Sequence, residues 1–211
     1  SSSKIDFFPY LTLNNDRLEN ETDTKSGAEI FWKIDSSKQL NAAINPDFGQ
    51  VESDDVVVNF SATETFYSDK RPFFSENQSL FNVKGNMFRI INTRRIGAAP
   101  DYDCSKFENA ERNYCLENKK SSNDIDVAIR YTQQLENFDI GVLGAFEANE
   151  KFSEGKDFYA FRLRTKKNNV SIGYLGTHVK QPIFNDSATV HSVDMEYRPS
   201  RSHRFTNNLI V

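Results

Sequence analysis

The chain has 211 residues, of which 37% are hydrophobic and 27% charged, with a formal net charge of −4. That is enough for one large domain or two small ones. The composition excludes a helical membrane protein but not a membrane β-barrel, whose strands are apolar on one face only, and the acidic balance argues against a nucleic-acid binder.

Period-two alternation of apolar and polar residues dominates, and helical periodicity is scarce. In "KIDFFPYLTL" Ile5, Phe7, Leu11 and Leu13 share one face. In "GAEIFWKI" Ala28, Ile30, Trp32 and Ile34 do so. After the polar turn "DSSK", "QLNAAINP" sets Leu40, Ala42 and Ile44 against Asn41, so the two runs form a hairpin. The alternation then breaks over 47–83. Acids cluster at Asp47, Glu52, Asp54, Asp55 and Glu64, and Lys70-Arg71-Pro72-Phe73-Phe74 follows.

Two carboxylates from that cluster would suit a glycosidase, but no spacing or companion residue fixes such a pair, and a solvated acidic loop is the simpler reading. The "ESDD" run lacks calcium-loop spacing. Proline holds Arg71 extended, and the two phenylalanines anchor irregular backbone to a neighbour or form a sugar-stacking platform.

Residues 98–123 read as a long exposed loop, with a short helix in "SKFENAERNYCLEN". Its cysteines, Cys104 and Cys115, have no CxxC partner and no adjacent histidine, which disfavours zinc. A local Cys104–Cys115 disulfide in an oxidising compartment is the expectation, with two free thiols as the alternative.

Alternation resumes in the second half. Val127, Ile129 and Tyr131 oppose Arg130 and Thr132, and Phe138, Ile140, Val142 and Phe146 align. Tyr159, Phe161 and Leu163 oppose Arg162 and Arg164. Val170, Ile172 and Tyr174 oppose Ser171, while Val193, Met195 and Tyr197 oppose Asp194 and Glu196. "RFTNNLIV" starts a further strand.

The total is about ten strands of roughly eight to eleven residues, the length a tilted membrane strand needs. A soluble sandwich or barrel alternates in the same way with its apolar face inward, so periodicity leaves both open. The charged pairs on the polar faces favour a wet lumen. The chain also ends inside a predicted strand, so the N-terminal arc of a larger barrel is the expectation. His178, His191 and His203 are isolated, and no GxSxG, Walker or GxGxxG motif is present. No catalytic residue, metal ligand or cofactor site is expected.

The string from Asn45 to Phe81, "NPDFGQVESDDVVVNFSATETFYSDKRPFFSENQSLF", and the later "TRRIG" carry a resemblance. They resemble the uncharacterised domain that follows a carbohydrate-binding family-9-like module in many Gram-negative envelope proteins. Asn45–Val51, Val57–Ser61, Glu64–Phe66, Lys70–Phe74 and Arg94–Gly97 fit its motifs. Ser68-Asp69, Ser75 and Asn77 depart from them, which bears on one local turn.

The resemblance implies an outer-membrane β-barrel of a Gram-negative bacterium, acting as a pore, export or surface scaffold. Its implied partners are outer-membrane lipid and glycan, polymer or another envelope protein. The alternative is a glycan-hydrolysing or glycan-binding envelope protein. On the barrel reading, 47–83 is an insert in the lumen or across its mouth. Asp47, Glu52, Asp54, Asp55, Glu64, Lys70, Arg71, Phe73 and Phe74 are its candidate residues, with charged lumen residues able to pair with Lys70 and Arg71 while the Phe cluster packs against itself and the wall.

Overall fold

The computed structural model describes residues 2–16, 21–46, 69–76, 78–83 and 90–211. Nine strands form one antiparallel sheet in sequence order: β1 (Lys4–Asp16), β2 (Glu21–Lys33), β3 (Lys38–Ile44), β4 (Ile125–Gln134), β5 (Phe138–Glu147), β6 (Asp157–Lys167), β7 (Val170–Gln181), β8 (Asp186–Tyr197) and β9 (Phe205–Ile210). The sheet is all-β and antiparallel, as the alternation implies. It is open and not a closed barrel: β1 and β9 are its edges.

The pleat sends successive side chains to opposite faces, and the register carries this across every pair. Ile5 lies opposite Trp32, Trp32 opposite Leu40, Leu40 opposite Tyr131, Tyr131 opposite Val142 and Val142 opposite Phe161. Phe161 lies opposite Gly176, and Gly176 opposite His191. One face is therefore apolar from edge to edge, and it is open to the surroundings. Phe7, Leu11, Ile129, Val142, Phe161, Ile172, Met195 and Leu209 are each exposed on it.

The band is not parallel to this ladder. In β1 to β4 the apolar residues run from the ladder toward the long connections (Ile5 to Leu13, Tyr131 to Val127). In β5 and β6 they straddle it, and in β7 to β9 they lie on the short-turn side (Tyr174 to Val170, Val193 to Tyr197). The drift is about one residue per strand. With ~3.3 Å rise and ~4.8 Å strand spacing, the strands are inclined by roughly 35° to the normal of the band.

The opposite face carries Asn41, Ala43, Ala128, Arg130, Asp139, Leu143, Ala145, Ala160, Arg162, Leu175 and Ser192, all buried. What buries the central part of it is the chain between β3 and β4. Two single-turn helices, α1 (Pro72–Ser75) and α2 (Gln78–Phe81), and a 3-10 turn at Thr93–Arg95 bring Phe73, Phe74, Leu80, Phe81, Val83 and Ile96 into one core with the small residues of the sheet. Small size is required there. A Cβ on Gly141 would lie 2.6 Å from Cζ of Phe81 and 2.9 Å from Cδ2 of Leu80.

Residues 98–123 are mostly exposed, with Pro100, Cys104, Cys115 and Asn123 buried among them. They hold α3 (Asn109–Glu117), where the sequence suggested a helix, and the Cys104–Cys115 disulfide, with Cα atoms 5.7 Å apart. Both cysteines are buried. The segment docks on the β5–β6 connection through a bridge between Tyr102 and Ser153, the Phe107–Phe152 ring contact and an ion pair between Lys156 and Asp101. Uncovered charged sequence reads as a loop; the docking depends on residues fifty positions away.

The connections differ at the two ends of the sheet. Turns at 34–37, 135–137 and 168–169 share one end with the seven-residue connection 198–204, and the long connections 45–124 and 148–156 share the other end with the four-residue turn 182–185. In the β2–β3 turn, Asp35 accepts hydrogen bonds from the backbone N–H of Ser37 at 2.7 Å, the Ser37 hydroxyl at 2.8 Å and the backbone N–H of Lys38 at 3.0 Å. These donors stabilise the carboxylate and hold its pKa down to about 2, the Ser37 N–H contributing most. A depressed folded value means that this contribution is complete above the ordinary value of 3.8 and is lost as pH falls through about 2. A carboxyl NMR titration should place the Asp35 midpoint near 2, and Ser37→Gly, which removes the hydroxyl but keeps the backbone N–H, should raise it only part of the way toward 3.8. A wild-type midpoint at the ordinary value would refute this account of the turn.

Candidate functional site

The segment on the polar face is fixed by three buried guanidinium groups. Arg71 lies within it. Its Nε and Nη2 donate to the two oxygens of Asp69 at 3.0 and 2.8 Å, its Nη1 donates to the Ile96 carbonyl at 2.7 Å and its Nη2 also to the Thr93 carbonyl at 2.6 Å. The guanidinium sits 4.3 Å from the Phe74 ring centroid. Arg71 thus joins the "DKRPFF" and "TRRIG" stretches, far apart in sequence, into one unit. The planar fork of arginine suits this role, since it serves a carboxylate and two carbonyls at once.

The other two arginines come from the wall. Arg130 on β4 donates through Nη1 to the Phe73 carbonyl at 2.5 Å, and its Nη2 lies 3.5 Å from Glu76. Arg162 on β6 donates through Nε to the Leu80 carbonyl at 3.0 Å, and holds Asp194 at 2.5 and 2.9 Å. A single-turn helix leaves its carbonyls without intrahelical partners. α1 and α2 each have one such carbonyl taken by a wall arginine. Gly173 on β7 makes room for this, because a Cβ there would lie 2.5 Å from the Arg162 guanidinium.

Two carboxylates complete the attachment. Glu76 accepts from Gln39 and Asn41 of β3, each at 2.8 Å. Glu147 of β5 accepts from the Gly97 N–H at 2.8 Å, the Lys156 N–H at 3.1 Å and Asn123 at 3.3 Å. Gly97 has φ of +79°, where a side chain is strained, so the glycine of "RRIG" is needed for the backbone to turn its N–H to Glu147.

Of the residues singled out in the sequence, Arg71, Phe73 and Phe74 come together in the buried core on the polar face, and Lys70 is exposed beside them. Asp47, Glu52, Asp54, Asp55 and Glu64 lie outside the described residues. Arg71 pairs with the carboxylate of Asp69, two residues away, and the wall supplies cations to the carbonyls of the segment. Sequence reasoning missed Asp69, Glu76, Arg130, Asp139 and Glu147 as partners. Only the interruption of apolar-facing strands by buried-parity Arg130 and Arg162 hinted at them. Among the described residues no group of three or more His, Cys, Asp or Glu is placed to hold a metal.

Arg71→Ala should leave Asp69 buried and uncompensated and cost about 3–5 kcal/mol. Limited proteolysis should then cut within 69–97 while the far-UV circular dichroism of the sheet stays unchanged. Resistance equal to wild type would show that the bracket does not hold the segment.

No curated protein and no solved structure matches the chain. One family does, over residues 2–157, from β1 through the whole β3–β4 segment to the first residue of β6. By that match the chain belongs to the family described as a domain of unknown function (DUF5916).

Proposed function

We propose that this chain is part of the wall of a β-barrel in the outer membrane of a Gram-negative bacterium, a non-enzymatic pore, export or surface scaffold, with the β3–β4 segment lying in its lumen. The observation that carries the reading is the exposed apolar band. Monomeric soluble proteins rarely expose contiguous apolar patches above a few hundred Å². Here such a band crosses all nine strands, while the face that would be the core of a soluble sheet holds arginines and carboxylates.

The roughly 35° slant of the band supports the same reading, since strands of membrane barrels tilt by about 35–45°. In lipid the open β1 and β9 edges would have to pair with further strands, because unpaired backbone groups have no partner there. Irregular backbone such as 69–83 is tolerated at membrane depth only where protein or water covers it, and it lies on the polar side. Both long connections, 45–124 and 148–156, lie on one side, in keeping with barrel asymmetry, which puts the turns 34–37, 135–137 and 168–169 toward the periplasm. The disulfide-braced α3 would then face outside.

Phe161→Arg places a charge in the middle of the band, Ala188→Arg at an exposed position of the polar face. In folding into lipid vesicles the first should cost about 2–4 kcal/mol and the second close to nothing. Equal effects, or a wild-type chain that stays folded and monomeric without lipid or detergent, would overturn the membrane reading.

A further inference from the structure

The polar face also carries a cleft that the described part of the β3–β4 segment does not fill. It lies toward the short-turn end, over β6 to β9. One part, of about 430 Å³, is lined by Arg162, Arg164, Ser171, Glu196, Arg204 and neighbours. An adjoining part, of about 450 Å³, shares Arg164, Ser171, Glu196 and Arg204 and adds Lys166 and Arg198.

Among the described residues the charges around it do not balance. Arg162 is matched by Asp194. Beyond that, each carboxylate is shared by two cations. Asp139 holds Arg164 and Lys166, both at 2.6 Å on the same oxygen, Oδ2. Glu196 holds Arg198 and, at 2.5 Å, Arg204. The second cation of each group is surplus. Arginine has five N–H donors and lysine three, far more than one carboxylate oxygen can accept. The Asp139 carboxylate is fully buried, whereas the Lys166, Arg198 and Arg204 side chains are 39%, 59% and 60% exposed. The acid is behind and the cations face the opening.

The arrangement is built by the register. Lys166 lies opposite Ser171, Ser171 opposite Glu196 and Glu196 opposite Thr206. Short Ser171 and Gly173 on β7 leave the floor low between a cationic wall on β6 and another on β8–β9. The two walls start two strand spacings apart, roughly 10 Å. Two separate surpluses at that distance suit successive charged groups of a chain better than a single small ion.

We infer that this cleft binds an extended polyanion through its phosphate, sulfate or carboxylate groups. Its position at the periplasmic mouth rests on the barrel reading; the cleft and its charge do not. A ligand at this place meets Lys166, Arg164, Arg198 and Arg204 before it reaches Arg162 and the β3–β4 segment.

Fluorescence anisotropy of labelled dextran sulfate with the full chain tests this, with labelled neutral dextran and inorganic phosphate for comparison. The wild-type chain should bind dextran sulfate with an affinity that falls steeply with salt. It should not bind dextran, and phosphate should compete only at far higher concentration, because it engages one group at a time. Lys166→Gln with Arg204→Gln, two exposed side chains whose loss leaves no buried group stranded, should weaken binding about tenfold or more. Arg112→Gln on α3, at the other end of the sheet, should change nothing. Unaltered binding in the double variant, equal binding of neutral dextran, or phosphate competing at equal charge concentration would overturn the assignment. A chain that needs no detergent yet loses dextran sulfate with the double variant would sink the barrel reading and keep the cleft. A detergent-dependent chain indifferent to the double variant would do the reverse.

Discussion

The structure depends on the hydrogen bonds from Arg130 and Arg162 to the carbonyls of Phe73 and Leu80. A guanidinium buried on a sheet face is costly unless it finds acceptors. A one-turn helix is equally dependent, because it leaves its carbonyls unsatisfied. Each need answers the other. Two short helices that would not persist alone are held by two arginines that would not be stable where they are without them. Each contact is a hydrogen bond to a charged donor, of the class that contributes about 1.5–3 kcal/mol.

That dependence explains the residue choices around it. The sheet is small where the segment presses on it, at Ala43, Ala128, Gly141, Ala145 and Ala160, and charged where the segment ends, at Arg162, Arg164 and Asp139. The segment has its own frame, the Arg71–Asp69 pair with the Thr93 and Ile96 carbonyls, so it meets the wall as a preformed unit. Phe73 and Phe74 pack at 5.0 Å between centroids, edge to face, each beside an arginine: Arg130 over one ring and Arg71 over the other. Apolar burial and cation recognition share the same two side chains.

The strands were legible in the sequence because their period of two is local. The outward set Tyr159, Phe161, Leu163, Val170, Ile172 and Tyr174, and its opposition to Arg162, Arg164 and Ser171, follow from alternation plus the short "KKNN" turn, and the register agrees. The disulfide pairing was one of two readings, and the structure makes it. The partners of the arginines were not legible. Asp69 to Arg71 is short-range but looks like any charged turn, and Arg130 to Phe73 joins a side chain to a carbonyl, which carries no sequence signature. The docking of 98–124 on 148–156 was hidden for the same reason: Lys120–Glu150 and Lys156–Asp101 are pairs across long separations.

The two faces set different constraints, and this separates wall from contents. A one-residue slip in any strand would carry Arg130, Arg162 or Asp194 onto the exposed apolar band and strand Phe73 and Leu80 without their donors. Register is therefore fixed twice, by the outer band and by the inner contacts. Toward the short-turn end of β7 to β9 the inner contacts thin out, and among the described residues the segment borders the cleft there through Ser79, Asn82 and Val83. Charge replaces packing there. Asp139 and Glu196 hold pairs of cations in place without neutralising them. Partial neutralisation keeps four like charges close together at tolerable repulsion while leaving positive potential in the opening, the condition under which a cleft attracts an anion and still releases it.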